Sequence, residues 1–412
     1  MARAMRSGRG ADWVFRAGDR AILDALAGGG HRAGLREYFG ARAHAELSRL
    51  ATAAAAANPS GPRVLILPGI MGSRLGAAAR GGGTQVLWID PVQIHTSGLM
   101  SLALPAGRDL RPQGVLLYYY AKLLLSLRSV GCDAEFYPYD WRLGLDELGA
   151  ALALHIKAEG GPVSLVAHSM GGLVARMAVG MLPKWRVRRL IMLGTPNFGS
   201  FGAVQAIRGT YPFVRKVARL DPQHSPEFLA ENVFCSFPGL YQLLPPRRRL
   251  RSVNLYDPAG WPAGAAPNSD LLSRVAAVRA GLCKPDSRMA QILGINRLTV
   301  IDLRRKGTGF EYKLGLNGDG SVPLALARLP GLPTYFVDES HSRLANNAGV
   351  IQTVIDLIRR GRSLALPRRW TGKRTPPMQV HDEQLCAGDS GKIDWRKLSP
   401  AERASLLAEL YE

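Results

Sequence analysis

From residue 64 onward, apolar residues follow two alternating rhythms. Short continuous runs read as strands buried on both faces: Val64-Leu65-Ile66-Leu67, Ala134 to Tyr137, Val163 to Ala167, Leu190 to Leu193, Leu298 to Leu303 and Thr334 to Val337. Between them, Val115 to Ser129, Leu145 to Ala158 and the segment after Met170 carry helical spacing. A last helix is predicted over Leu344 to Arg360, where Ile351, Val354, Ile355 and Ile358 share one face. Repeated strand–helix units build a mostly parallel sheet covered by helices on both faces, so the fold class is α/β.

The rhythm fails in four places. Residues 1–60 hold helical stretches at Asp19 to Leu26 and Leu35 to Ala57, split by Gly28-Gly29-Gly30 and closed by the turn cluster Asn58-Pro59-Ser60-Gly61-Pro62. They read as a loosely attached helical extension. Ser73 to Gly114 is irregular and reads as a small lid. From Thr195 to Arg297 the alternation gives way to Pro, aromatic and Arg residues, which reads as an insertion capping the sheet, the usual seat of substrate selection. After Gly361 the chain is basic and Pro-rich before a helix start at Ser399-Pro400-Ala401-Glu402. The expected organisation is an extension (1–60), a core (61–361, lid 73–114, cap 198–297) and a peripheral tail (362–412).

Composition narrows the class. With 47% hydrophobic and 21% charged residues and no apolar run near membrane-spanning length, an integral membrane protein is not expected. The basic start is not followed by the apolar stretch of a secretory signal, and Cys132, Cys235, Cys283 and Cys386 lack any CxxC spacing, so reduced thiols and a cytoplasmic location are expected. The net charge of +21 comes from 43 Arg and 10 Lys against 32 acidic residues, spread along the chain except for Arg247, Arg248, Arg249 and Arg251. That spread disfavours nucleic acid and leaves room for peripheral contact with an anionic membrane surface.

The sharpest chemical signal is Ala167-His168-Ser169-Met170-Gly171-Gly172, between an apolar run and a helical segment. A strand–turn–helix elbow of this kind exposes the central hydroxyl and needs small neighbours. Serine is a poor nucleophile without a base, normally His supported by a carboxylate, and in this type of site the chain order is Ser, acid, His. Asp319 in Gly318-Asp319-Gly320 and His341 in Ser340-His341-Ser342 meet that order. Asp338 is the competing acid but sits only three residues from His341. His168 lies in the elbow itself and fits the role of base less well. The developing oxyanion needs backbone N–H donors, assigned to Met170 and to Ile70 in Pro68-Gly69-Ile70-Met71-Gly72, with Met71 as the alternative.

These blocks, with Tyr139-Asp140-Trp141-Arg142, Leu193-Gly194-Thr195-Pro196-Asn197-Phe198-Gly199-Ser200 and Phe237-Pro238-Gly239-Leu240-Tyr241, resemble the lecithin:cholesterol acyltransferase family of α/β-hydrolases in order from about Val64 to Leu357. The resemblance implies an α/β-hydrolase fold with inserted lid and cap, and Ser169, Asp319 and His341 as triad. It also implies Ile70 and Met170 as oxyanion donors, and a lipid or acyl ester as substrate. Trp141, Phe198 and Tyr241 are the candidates for substrate binding, with a packing role the alternative for Trp141. Phe213, Phe228, Phe234, Phe237, Tyr241 and Trp261 are candidates for an acyl pocket or for the cap's own core. The lid lacks the cysteines of secreted relatives, so extracellular chemistry is not carried over.

The expected activity is serine-dependent acyl hydrolysis or transfer, needing neither metal nor organic cofactor. Two rivals remain: an esterase or thioesterase for soluble acyl substrates, separable by chain-length preference, and a non-catalytic basic scaffold, separable by salt-sensitive binding that survives loss of Ser169.

Overall fold

The computed structural model describes residues 12–78, 84–96, 98–107, 109–263, 267–370, 372–373, 376–387 and 391–411. Twelve strands run in chain order: β1 Arg63–Leu67, β2 Ser73–Ala78, β3 Thr84–Trp88, β4 Arg111–Val115, β5 Asp133–Phe136, β6 Val163–His168, β7 Val187–Leu193, β8 Met289–Gly294, β9 Thr299–Lys306, β10 Gly309–Gly315, β11 Thr334–Val337 and β12 Met378–His381. The central sheet has the order β11-β8-β7-β6-β1-β5 with every pair parallel. Of its middle strands, β6 is buried along its whole length and β7 from Leu190 to Leu193, as strands covered on both faces must be. Helices Leu117–Ser129, Leu145–Ala158, Met170–Gly180 and Ala348–Arg360 supply the crossovers and the covering layers. This is the helix-covered parallel sheet expected from the alternation, in the α/β-hydrolase arrangement that the resemblance implies.

Two strand assignments need correction. The central-sheet strand β8 lies within the stretch read as cap, 198–297, whereas the run Leu298 to Leu303 falls mainly in β9, paired antiparallel to β10 in a separate three-stranded sheet completed by β12. β8 escapes a hydrophobicity reading because Gln291 interrupts it. In the fold that amide is buried and satisfied: Nε2 donates to Leu329 O and Thr334 Oγ1, both at 2.8 Å, and Oε1 accepts from Leu329 N at 3.0 Å. The final helix begins at Ala348 rather than Leu344. Asn347 caps it by accepting from Val350 N, and a 3-10 turn His341–Asn346 precedes it.

The stretch read as irregular, Ser73 to Gly114, contains the antiparallel sheet β3-β2-β4. Residues 12–56 are not loosely attached. Ile22, Leu26 and Leu35 are buried, and Arg74 at the start of β2 pairs with Asp19 at 2.7 Å and donates to Ala17 O. Asp19 also accepts from Val115 N at 2.9 Å. The tail is likewise integral to the fold. Trp395, Leu406, Leu407 and Leu410 are buried, and fully burying a large apolar side chain contributes about 1.5–3 kcal/mol each. The Trp395 ring meets Phe15 edge-on, and its Nε1 donates to Asp12 at 3.1 Å, so tail and extension pack together. Among the described residues no helix is long and apolar enough to cross a membrane.

Candidate active site

β6 ends at His168, and the chain turns at once into the helix Met170–Gly180. Ser169 sits at that turn with φ 52° and ψ −126°, a conformation an L residue holds only at a cost of about 1–3 kcal/mol and one that surrounding structure must enforce. The enforcement is visible. Ser169 N donates to Leu193 O at 2.8 Å, tying the turn to the end of β7, and a Cβ on Gly172 would lie 1.9 Å from Thr195 Oγ1. A Cβ on Gly69 would come 2.9 Å from the Ser169 Cβ, so the loop after β1 reaches the serine only because position 69 is bare.

Ser169 Oγ lies 2.9 Å from His341 Nε2, and His341 Nδ1 lies 2.7 Å from Asp319 Oδ2. A carboxylate oxygen can only accept, so Nδ1 carries the hydrogen and Nε2 is left to accept from the serine hydroxyl. Asp319 is itself fixed: Oδ1 accepts from Val322 N at 2.7 Å and Ser321 N at 3.0 Å, leaving Oδ2 for the imidazole. The hairpin β9–β10 intervenes between β8 and Asp319, yet the acid returns to the carboxyl end of β8, where a Cβ on Gly294 would stand 2.6 Å from the Asp319 Cβ. Asp338 is engaged elsewhere. Asn296 Nδ2 donates to it at 2.9 Å and Arg297 pairs with it; these contacts hold its carboxyl below the usual range.

The N–H groups of Ile70, Met71 and Met170 have no hydrogen-bond acceptor among the described residues. Met170 N opens the helix after the serine, where the helix dipole favours negative charge. Gly69 N donates instead to the Tyr120 hydroxyl at 2.9 Å. That hydroxyl lies 2.9 Å from His168 Nδ1, and His168 Nε2 lies 2.9 Å from His341 O. A carbonyl only accepts, so His168 Nε2 carries the hydrogen and Nδ1 accepts from Tyr120. Burial and the neighbouring His341 push the His168 imidazole down to about 3, keeping it neutral. Sequence reasoning missed this chain. In the sequence His168 reads only as part of the elbow, and Tyr120 lies on a helix with no motif.

The site opens into a cavity of about 550 Å³ that takes in Ser169, His341 and Asp319 together with apolar residues such as Ile70, Phe213, Leu240, Leu385 and Leu410. None of Trp141, Phe198 and Tyr241 lines it. Trp141 is fully buried between Trp88 and Phe237, and its Nε1 donates to Ser73 O at 3.1 Å. Phe198 lies under the guanidinium of Arg249, 3.9 Å from its ring centre. The Tyr241 hydroxyl accepts from Asn268 N at 2.8 Å. All three are packing residues here, because each spends its polar or ring face on a neighbour. Of the cap aromatics Tyr211 and Phe213 reach the cavity; Phe234, Phe237 and Trp261 are core, and Phe228 is exposed.

All four cysteines are free thiols. One group among the described residues, Glu135, His155 and Glu159, has metal-ligating spacing, but the Arg63 guanidinium already pairs with both acids, 2.9 Å from Glu159.

The lecithin:cholesterol acyltransferase family model matches residues 112–239, which include Tyr139 to Arg142, the elbow and the Gly194 segment, but not Ile70, Asp319 or His341. No curated protein sequence matches the chain. Among solved structures, the Tle4–Tli4 complex contains a chain that is similar with a TM-score of 0.43 and 13% identity, over 74% of this chain and 99% of that one. The Bacillus licheniformis lipase BlEst2 is similar in its mature form (TM-score 0.36, 16% identity, 70% and 88% of the two chains). Its propeptide form gives a TM-score of 0.37 and 15% identity over 73% and 51%. At these TM-scores the likenesses add nothing to the fold, which rests on strand order. By that strand order the chain has the α/β-hydrolase fold, and over residues 112–239 it is similar to the lecithin:cholesterol acyltransferase family.

Proposed function

We propose that the protein hydrolyses or transfers the acyl group of lipid esters through a covalent acyl-serine on Ser169. The observation that carries this reading is the relay from Asp319 Oδ2 through His341 to Ser169 Oγ, at 2.7 and 2.9 Å, opening into a mainly apolar cavity. His341 Nε2 takes the hydroxyl proton as Ser169 Oγ attacks the ester carbonyl, and Asp319 stabilises the imidazolium that forms. The amides of Ile70 and Met170 donate to the oxyanion. When the tetrahedral intermediate collapses, the bond to the leaving alcohol breaks and His341 returns the proton to that oxygen. Water or an acceptor alcohol then attacks the acyl carbon, giving its proton to His341, and as the bond to Ser169 Oγ breaks His341 passes that proton to the serine, releasing acid or new ester.

The family match supports a lipid-directed reaction, and the cavity supports an apolar acyl chain as the part recognised. The deciding experiment measures acyl release from mixed phospholipid and neutral-lipid vesicles, with and without an added alcohol. Release by wild type and none by Ser169→Ala is expected, with any new ester identifying transfer. Folded wild type that releases nothing from lipid but cleaves a soluble ester would move the assignment to a soluble esterase or thioesterase.

A further inference from the structure

The tail beyond residue 376 has no counterpart in the motifs that carry the family resemblance, yet two of its side chains stand in the active-site cavity. Leu385, on the helix Asp382–Cys386, and Leu410, on the helix Pro400–Tyr411, line the same space as Ser169. We propose that the tail forms one wall of the acyl pocket and that Leu385 and Leu410 set the length of acyl chain accepted; this rests on the acyl-ester reading above.

The wall is built, not draped. On one side it is fastened to the helix Pro212–Ala218, which itself gives Pro212, Phe213 and Lys216 to the cavity. Lys216 Nζ donates to Glu409 O, Arg219 pairs with Glu409 at 2.9 Å, Ile393 N donates to Arg219 O at 2.8 Å, and Lys392 Nζ donates to Ala218 O at 3.0 Å. On the other side it is anchored to the amino-terminal helices through Trp395, Asp12 and Arg403, the last two 3.4 Å apart. Leu410 is 2% exposed, so its side chain is held in place and turned inward. A surface gripped from both sides acts as a fixed stop, unlike a flap that yields to a longer ligand.

Leucine offers no donor, acceptor or charge. What these two side chains can discriminate is therefore only how far an aliphatic chain extends, and a pocket of fixed size separates chains differing by a few methylenes by roughly tenfold or more in kcat/KM. The head of the ester is left to the other walls.

The test uses the full chain and p-nitrophenyl butyrate, octanoate, laurate and palmitate. Leu410→Trp is expected to lower the palmitate-to-butyrate ratio of kcat/KM about tenfold, and Leu410→Ala to raise it. Leu406→Ala, buried in the same helix but not lining the cavity, is expected to leave the ratio unchanged. If Leu410→Trp does not fold, Leu410→Ala and Leu385→Phe decide by the same ratio. Folded Leu410 and Leu385 variants that cleave butyrate with an unaltered ratio would overturn the wall and leave the esterase reading standing. Folded wild type that cleaves none of the four esters would overturn both.

Discussion

His168 Nε2 lies 2.9 Å from the main-chain oxygen of His341, so the residue before the candidate nucleophile grips the backbone of the candidate base. Through Tyr120 the same imidazole is tied to Gly69 N, next to the proposed oxyanion donor Ile70. One neutral ring thus spans the proton-transfer side and the oxyanion side of the site. Replacing it by Leu is expected to lower kcat about a hundredfold with little change in KM, the scale on which misplacement of a catalytic group costs rate. His168→Gln, which restores a donor toward His341 O, is expected to recover most of that loss. Steady-state kinetics on a soluble ester check both; equal loss in the two variants would reduce His168 to packing.

The same burial makes acid stability report on His168. Its imidazole is held down to about 3, whereas a histidine in the unfolded chain titrates near 6.5. Between those values the unfolded state binds a proton that the folded state does not. The His168 contribution to stability is therefore flat above about pH 6.5 and falls as pH drops through that window, by up to about 1.4 kcal/mol per unit. Urea unfolding at about pH 7.5 and about pH 5 is expected to show a fall about 2 kcal/mol smaller in His168→Gln than in wild type.

Gly194 follows β7 with φ 58°, and a Cβ there would come 2.7 Å from Leu344, 3.0 Å from His341 Nδ1 and 3.1 Å from Asp319 Oδ2. Gly194→Ala adds a strained backbone and pushes on the contact that orients the base. A fall in kcat of about a hundredfold in a folded variant is expected, read by ester kinetics beside circular dichroism. Wild-type kcat would show that the His341–Asp319 contact tolerates displacement.

Asp19 joins the amino-terminal helices to the lid sheet through Arg74 and Val115 N. Asp19→Ala leaves a buried guanidinium without its partner and is expected to cost about 3–5 kcal/mol in chemical denaturation. A loss below about 1 kcal/mol, the scale of a surface pair, would show that the Asp19–Arg74 pair does not hold these helices to the lid sheet.

Legibility in the sequence divided along physical lines. Segments whose environment is uniform were readable: Val64 to Leu67 and Val163 to Ala167 are buried on both faces, and their apolar runs say so. Ser169, Asp319 and His341 stand out in the sequence because the proposed chemistry constrains residue type and chain order; the fold brings these three candidates within hydrogen-bond distance. β8 was not, since Gln291 hides a buried strand behind a polar letter whose partners, Leu329 and Thr334, are remote in sequence. The seats of the extension and tail were not, because Phe15, Trp395 and Leu410 find their partners hundreds of residues away. Trp141, Phe198 and Tyr241 drew attention as aromatic residues in motifs, but an aromatic ring fills a core as readily as it lines a pocket, and composition cannot separate the two.

The central claim is a covalent acyl group on Ser169, and it is met most directly by quenching the enzyme in mid-turnover with a slow p-nitrophenyl ester and locating the added mass by peptide mass spectrometry. The account predicts one acyl group on the peptide containing Ser169, absent from Ser169→Ala and accumulating in His341→Ala only at a greatly reduced rate. An acyl group on another residue, or undiminished turnover by Ser169→Ala, would contradict it.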